Sequence, residues 1–156
     1  AGRPLAMFES GAILMYLADK TGKFMPVDDT GCWAVIEWLM WQMGGVGPNF
    51  GQAFHFLHQL HEATAPGDIA YCRERYGDEV RRLCMVMDRQ LSGNAYLAGG
   101  DYSIADIANF PWIALHRWFQ LDLDEMPNLR RWYDDIRERP AVMRGMDIPS
   151  REEIAV

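Results

Sequence analysis

The sequence predicts an all-α bundle of five or six helices, and three observations support this fold class. Apolar residues recur at intervals of three and four along most of the chain, which is the spacing of helices with one buried face. N-cap residues and terminal prolines or glycines bracket these segments. No alternating apolar and polar run has the length of a useful strand, apart from a possible strand end at residues 3–8.

The first half of the chain predicts two helices. The first covers about residues 9–20, with Ile13, Tyr16 and Leu17 on one apolar face and Gly22 as its left-handed C-cap. The second follows the N-cap candidates at 28–30. Its predicted buried stripe has helical spacing and consists of Cys32, Ile36, Leu39, Met40 and Met43.

The second half predicts a long helix over residues 69–91 and at least two more. Ser103 and Asp106 have the spacing of a capping box, so we expect them to begin a helix that runs to about residue 119. Pro111 is expected to kink that helix. Pro127 and Pro140 bracket the next one.

Composition excludes several function classes. The formal net charge is −7, and no basic block alternates with aromatics, so we expect no nucleic-acid partner. No apolar run approaches the roughly 20 residues that a membrane helix needs, so we expect no membrane partner. Cys32, Cys72 and Cys84 are widely spaced and form no C-x-x-C pair, which is typical of reduced thiols in a cytoplasmic protein.

Glu9 and Ser10 stand at the start of the first helix and could bind an amino-acid head group. A helix N-terminus presents free N–H groups and a partial positive charge, which attract a carboxylate. The Ser10 hydroxyl adds a donor, and the Glu9 carboxylate could accept from an ammonium group. The alternative is an ordinary helix start, in which serine caps the helix and glutamate complements its dipole. The residue pattern alone favours this alternative.

The stretch GGVGPNFGQ, residues 44–52, interrupts or kinks the second helix. Its glycine spacing differs from the dinucleotide-binding fingerprint, it contains a proline, and no strand precedes it. A bend where two helices approach closely explains this composition. So does a pocket at the bend that is lined by Asn49, Phe50 and Gln52.

Two polar stretches allow a functional interpretation, although a surface role fits each better. His55, His58 and Glu62 have a spacing that could hold a divalent metal, but a solvated polar face is favoured and we expect no metal. Four arginines between residues 73 and 82 alternate with acids, which favours surface ion pairs. One of them could instead turn inward to meet an anion.

Four stretches together resemble the glutathione transferase superfamily across nearly the whole chain. FESGAILMYLADKTGKFMP is similar to the last helix and the linker of the family's thioredoxin-like domain. SIADIANFPW is similar to its capping box and staple, and MPNLRRWYDDIRERPAV to the run near its C-terminus. WLMWQMGGVGPNFGQ with RERYGDEVRRL is most similar to the bacterial nu-class transferases, which bind glutathione or its disulfide.

The resemblance implies a role for the Glu9–Ser10 pair. Glu9 would bind the ammonium of the γ-glutamyl end of glutathione, and Ser10 would bind its α-carboxylate. Arg75 would be the inward arginine near this site and a third glutathione-binding residue. The residues implied to line or border the second-substrate pocket are Trp41, Asn49, Phe50 and Gln52.

The resemblance also implies a domain organisation. Residues 1–24 would be the end of a thioredoxin-like domain, 25–149 the helical C-terminal domain and 150–156 a tail. The first roughly 50–60 residues of that βα module have no counterpart in this sequence, and they hold the residue that activates the glutathione thiol. The catalytic residue is therefore unknown, and we expect this chain alone not to lower the pKa of a bound thiol.

Two functions follow as expectations. In the complete protein, glutathione would be the co-substrate of conjugation to a small electrophile or of disulfide reduction, and the resemblance implies a homodimer. The alternative is a non-catalytic helical module for dimerisation or protein interaction. A truncated remnant without function is a third possibility, against which the coherent apolar stripes argue.

Overall fold

The computed structural model describes residues 5–59 and 66–148, with only the backbone described at 66–68, and its regular elements are helices. Within these ranges the chain forms no strand, and an isolated bridge joins Tyr96 and Gly99. The all-α fold class is confirmed. The α-helices are α1 (Ser10–Thr21), α2 (Asp29–Trp41), α3 (Gly47–Phe54), α4 (Pro66–Leu91), α5 (Ile104–Ala114), α6 (Pro127–Arg137) and α7 (Pro140–Gly145).

Short helical segments of other types connect these elements. π-Helical turns cover Gln42–Val46 and His55–Gln59, and 3₁₀ turns cover His116–Phe119 and Leu123–Glu125. The predicted break at residues 44–52 is therefore a π-helical turn that leads directly into α3. A π turn admits one extra residue while keeping backbone hydrogen bonds, so the chain changes direction without leaving the helix.

Local sequence signals explain most helix ends. The Asp28 carboxylate accepts from the Gly31 N–H at 2.8 Å and caps α2, and Gly22 ends α1 with a φ of 62°. Pro127 and Pro140 begin α6 and α7, where a missing N–H costs nothing. The helix after Ser103 ends at Ala114, earlier than the predicted residue 119, because the chain tightens there into a 3₁₀ turn.

The core consists of two buried clusters. The larger one joins α3, α4, α5 and α6, and Trp132 is its largest fully buried side chain. The smaller one joins α1, α2 and α5 through Ala18, Val35, Leu39 and Ile104. The long helix α4 spans the bundle and packs on α3 and α6. Because α1 shares a cluster with α2 and α5, its position on the bundle is fixed by packing.

The capping box at Ser103 also ties three elements together. Asp106 is fully buried, and its carboxylate accepts from the Ser103 N–H at 2.9 Å and from the Leu97 N–H at 3.0 Å. It also accepts from Trp132 Nε1 at 2.8 Å. One side chain therefore links the start of α5, the preceding turn and α6.

The expectation that the apolar residues of α1 form its buried face is wrong. Ile13, Tyr16 and Leu17 are 36%, 38% and 46% exposed, whereas Gly11 and Ala18 are buried. The small residues let α1 lie close to the bundle, and Leu14 and Met15, rather than the three predicted residues, pack against it. The buried face of α2 also differs from the predicted one. Leu39 is buried as expected, but Val35 is buried as well, and Met40 is 49% exposed.

Two boundaries also differ from the prediction. Residues 5–8 are not part of a strand, since no neighbouring strand is present in the described ranges to pair with them, and residues 3 and 4 lie outside those ranges. The long helix begins at Pro66, three residues before its predicted start at residue 69. A proline at the first helical position is compatible with helix geometry.

Among the described helices, none is long and apolar enough to cross a membrane.

Candidate functional site

Glu9 begins α1 in a backbone conformation that is unusual for its residue type. Its φ is 68° and its ψ is 112°, outside the regions that residues with a side chain normally adopt. Its carbonyl accepts from the Ile13 N–H at 3.0 Å and so closes the first helical turn. Strain of this kind costs about 1–3 kcal/mol and is concentrated at functional positions. The conformation marks Glu9 as a candidate site residue.

The Glu9 carboxylate is not used to cap the helix that follows it. It forms no capping hydrogen bond, and the first turn of α1 contains no acidic residue. Glu9 and Ser10 are both exposed. The first N–H groups of a helix lack intrahelical partners and carry the positive end of the helix dipole. This end of α1 therefore offers a carboxylate, a hydroxyl and amide donors to a molecule in solvent.

Gly11 fixes the place of this helix start on the bundle. A Cβ at Gly11 would lie 3.3 Å from Met43 Sδ, a closer approach than ordinary van der Waals contact. Met43 belongs to the π-helical turn after α2. The glycine thus lets the Glu9–Ser10 end of α1 rest directly on that turn, and no sequence signal pointed to Met43 as its neighbour.

Asn49 and Arg75 lie together at a second polar location. They line a cavity of about 230 Å³ with Tyr76 and Glu79. The Asn49 amide donates to the Gly45 carbonyl at 2.9 Å, so the π turn orients it. The pKa of the Glu79 carboxyl is lowered, first by its hydrogen bond from Arg82 and further by the Arg75 charge. Arg75 is exposed beside this carboxylate.

The remaining predicted pocket residues are separated. Trp41 packs edge-on against Trp38 at 4.9 Å and lines a groove between α2 and α4, while Gln52 is exposed on α3. Phe50 does not line a pocket, so that prediction is wrong. It is fully buried between Trp112 and Phe119, with ring centroids 6.1 and 4.9 Å away. The spacing could not show that α3 turns this face into the core.

The two histidines considered as metal ligands have other contacts. His55 Nδ1 lies 2.9 Å from Gln59 Oε1, and His58 Nε2 lies 2.7 Å from the Trp118 carbonyl oxygen. Glu62 lies outside the described residues. The described residues contain no group of three potential ligands that could hold a metal ion.

The buried cysteine is not a candidate nucleophile. Cys84 is fully buried, and desolvation raises the pKa of its thiol to about 12. A thiol in that state is almost entirely protonated near neutral pH, and the thiolate is the reactive form. The sequence prediction left the catalytic residue unknown, and Cys84 does not fill that role.

Comparison with known proteins places this architecture in a family. Residues 71–140 match the family described as the glutathione S-transferase C-terminal domain. The chain is 45% identical over 145 residues to the disulfide-bond oxidoreductase YfcG of Escherichia coli, with 93% of this chain and 65% of that protein covered. The chain belongs to the glutathione S-transferase family.

Two solved structures agree with this assignment. A glutathione transferase from Burkholderia graminis, crystallised with two glutathione molecules per subunit, superimposes with a TM-score of 0.86 at 41% identity, over 96% of this chain and 63% of that one. A glutathione transferase from Pseudomonas putida, with one glutathione disulfide per subunit, gives 0.82 at 41% identity, over 94% and 64%. The chain thus spans less than two thirds of each of these three relatives.

Proposed function

We propose that this chain supplies part of the glutathione site of a glutathione-dependent enzyme, with Glu9 and Ser10 as the γ-glutamyl-binding residues. The observation that carries the proposal is the strained Glu9, whose carboxylate is exposed and unused by its own helix. The ammonium of the γ-glutamyl group would meet Glu9, and its carboxylate would meet Ser10 and the N-terminal amides of α1. The glutathione or glutathione disulfide bound in the two structural neighbours supports this ligand.

We place disulfide reduction ahead of conjugation as the reaction of the complete protein. The E. coli relative is named a disulfide-bond oxidoreductase, and the P. putida structure holds glutathione disulfide. In such a reaction, a glutathione thiolate attacks one sulfur of a disulfide and the other sulfur leaves as a thiolate. A second glutathione thiolate then attacks the mixed disulfide, so two glutathiones are oxidised to one disulfide while the substrate is reduced to two thiols. Conjugation to a small electrophile is the second candidate.

Arg75 and Asn49 are the proposed polar residues of the neighbouring region. Their shared cavity carries a guanidinium and an amide, both able to donate to an anionic group. Glu79 lines the same cavity, so an anion there would meet both charges. Trp41 and Gln52 are proposed as rim residues on the strength of the family resemblance.

The domain assignment is part of the same proposal. Residues 25–149 would form the helical domain of the family and residues 1–24 the end of the thioredoxin-like domain, with 150–156 as a tail. The family match at residues 71–140 lies inside the proposed helical domain. A cytoplasmic location is proposed from the three unpaired cysteines.

The test is glutathione binding by the natural protein that contains this chain. Replacing Glu9 by Ala removes a charge-assisted contact and is expected to weaken glutathione binding by about 1–3 kcal/mol in isothermal titration calorimetry. Asp19→Ala is the matched control, because Asp19 is an exposed acid near the other end of α1. Unchanged affinity in Glu9→Ala would refute the assigned role.

We also propose that two copies associate through the face formed by α2 and α4. Trp33 is 63% exposed, and Trp38, Trp41 and Val86 line a groove of about 470 Å³ between these helices. Glu37 and Gln90 also line this groove, and an exposed face that combines aromatic with polar residues is typical of an association surface. Trp33→Lys is expected to shift the protein towards monomer in sedimentation velocity, while Met143→Lys, an exposed apolar position on α7, should not. A monomeric wild-type protein would refute this interface.

The non-catalytic alternative rests on a different observation. Ile13, Tyr16 and Leu17 form an exposed apolar face on α1 that could bind a protein partner. Glutathione binding that depends on Glu9, together with glutathione-dependent turnover, would exclude this alternative. Association without glutathione binding would favour it.

A further inference from the structure

A cavity between the 22–28 turn, α5 and α7 is walled almost entirely by apolar groups. Its volume is about 390 Å³, within the roughly 300–1,000 Å³ range of small-molecule sites. Phe24, Ile107, Phe110, Val142 and Met146 form much of its wall. Of all its lining residues, Tyr102 and Arg139 alone carry polar side-chain groups. Its composition is therefore that of an apolar ligand site with one charged anchor.

Arg139 is held in place by an aromatic ring and has no acidic partner among the described residues. Its guanidinium carbon lies 3.9 Å from the centre of the Tyr102 ring. In the part of the chain that the structure describes, no carboxylate forms an ion pair with Arg139. The nearby Asp106 carboxylate already accepts from Leu97, Ser103 and Trp132. A planar cation with N–H groups available thus borders an apolar cavity.

Tyr102 does not neutralise this charge. Burial raises the pKa of its phenol to about 12, so the side chain is neutral near pH 7. Its ring face attracts the guanidinium and orients it, since a cation over an aromatic ring is favoured. Among the described residues, no acid therefore balances the charge of Arg139, and its N–H groups can donate to an anion that enters the cavity.

One residue of the cavity wall, Phe24, has a strained backbone conformation. Phe24 has a φ of 64°, although it is not a glycine. Its carbonyl accepts from the Ile104 N–H at 3.0 Å, and its ring packs edge-on against Tyr102 at 5.8 Å. These contacts hold the phenyl group at the cavity edge against an unfavourable backbone conformation.

We propose that this cavity binds a small amphiphilic carboxylate, with its apolar part in the cavity and its carboxylate on Arg139. The site is distinct from the Glu9–Ser10 site. Phe24 follows the C-terminal end of α1, whereas Glu9 and Ser10 lie at its N-terminal end, and a helix of 12 residues is about 18 Å long at 1.5 Å per residue. The proposal does not depend on the proposed enzymatic function.

The test uses octanoate as the probe and 1-octanol as its uncharged match, both titrated by calorimetry into the 156-residue chain at pH 7. Octanoate is expected to bind more tightly than octanol. Arg139→Gln should weaken octanoate binding by roughly tenfold or more, because a charge-assisted contact is lost, and should leave octanol binding unchanged. Arg144→Gln, at an exposed position of α7 outside the cavity lining, is the matched control and should change neither affinity.

A second pair of variants tests the cavity itself. Ala141 lines the cavity and is exposed, so Ala141→Phe should fill it without disturbing the core and abolish binding of both probes. Met143→Phe, at an exposed position outside the lining, should leave both affinities unchanged. The proposal is overturned if octanoate does not bind the wild-type chain, if Arg139→Gln binds it equally well, or if Ala141→Phe still binds it.

Discussion

Replacing Asp106 by Asn is expected to destabilise the fold substantially, although the two side chains have nearly the same shape. Asp106 is fully buried, and its carboxylate accepts four hydrogen bonds. One oxygen faces the Leu97 N–H and Trp132 Nε1, and the other faces the N–H and the hydroxyl of Ser103. An asparagine has one acceptor oxygen, so its NH₂ group must face two of these donors.

The magnitude follows from this geometry. If the new NH₂ group faces Ser103, the hydroxyl can rotate to accept from it, but the Ser103 N–H stays buried without a partner. A buried unsatisfied donor costs about 1–3 kcal/mol, and the bonds from Leu97 and Trp132 lose their charge-assisted part. Removing a buried charge recovers some of this cost. The expected net loss is about 2–4 kcal/mol, or about 5–15 °C in Tm for a domain of this size.

Urea unfolding followed by tryptophan fluorescence and far-UV circular dichroism measures this loss. Ser103→Ala removes one of the four donors and should cost about 1 kcal/mol, the usual effect of an N-cap. Asp101→Asn is the matched control, because Asp101 is exposed, and should change stability by less than about 0.5 kcal/mol. If Asp106→Asn unfolds within about 0.5 kcal/mol of the wild type, the idea that the four donors require a carboxylate is wrong.

Three further predictions use the same assays or simple labelling. Burial raises the pKa of Asp106 above its ordinary value of 3.8, so the part of the stability that is linked to its protonation is fully present below that pH and is lost as the pH rises through the folded-state pKa. Subtracting the Asp106→Asn stability profile from the wild-type profile should show this decline, and a difference independent of pH would contradict it. Asp88 accepts from the backbone N–H groups of Asn128 and Leu129 at 2.8 and 3.0 Å, so Asp88→Ala should cost about 1–2 kcal/mol in urea unfolding through the lost cap of α6. The buried Cys84 thiol, with a pKa of about 12, should not react with Ellman's reagent at pH 8 until the protein is unfolded, and rapid labelling of all three cysteines in the native protein would refute this.

The helical fold could be predicted because its signals are local. Periodicity and the Gly22 cap place α1 within one residue of its observed ends, and Ser103 with Asp106 marks the start of α5. Each of these signals involves residues within about one helical turn, so no knowledge of the partner elements is needed. The resemblance carried by the same segments pointed to the glutathione transferase family, which the comparisons confirm.

Local signals could not predict which face of each helix is buried. Gly11 and Ala18 of α1 are buried against the bundle, whereas Leu17 is exposed. Which face of a helix is buried depends on the helices that pack against it and not on hydrophobicity alone. Phe50 shows the converse error, since it is fully buried where a pocket residue was expected. Both outcomes depend on contacts between residues far apart in sequence.

The sequence by itself therefore determined the helical fold class and the starts of α1, α2, α5 and α6, and it suggested the Glu9–Ser10 pair as a candidate site. Tertiary structure alone decided that Gly11 rests on Met43, that Asn49 and Arg75 line one cavity, and that Arg139 lies over Tyr102 beside an apolar cavity. The physical reason is the range of the interactions. Caps and periodicity act within a turn of helix, whereas a site is formed by side chains that only the packing of several helices brings within contact distance.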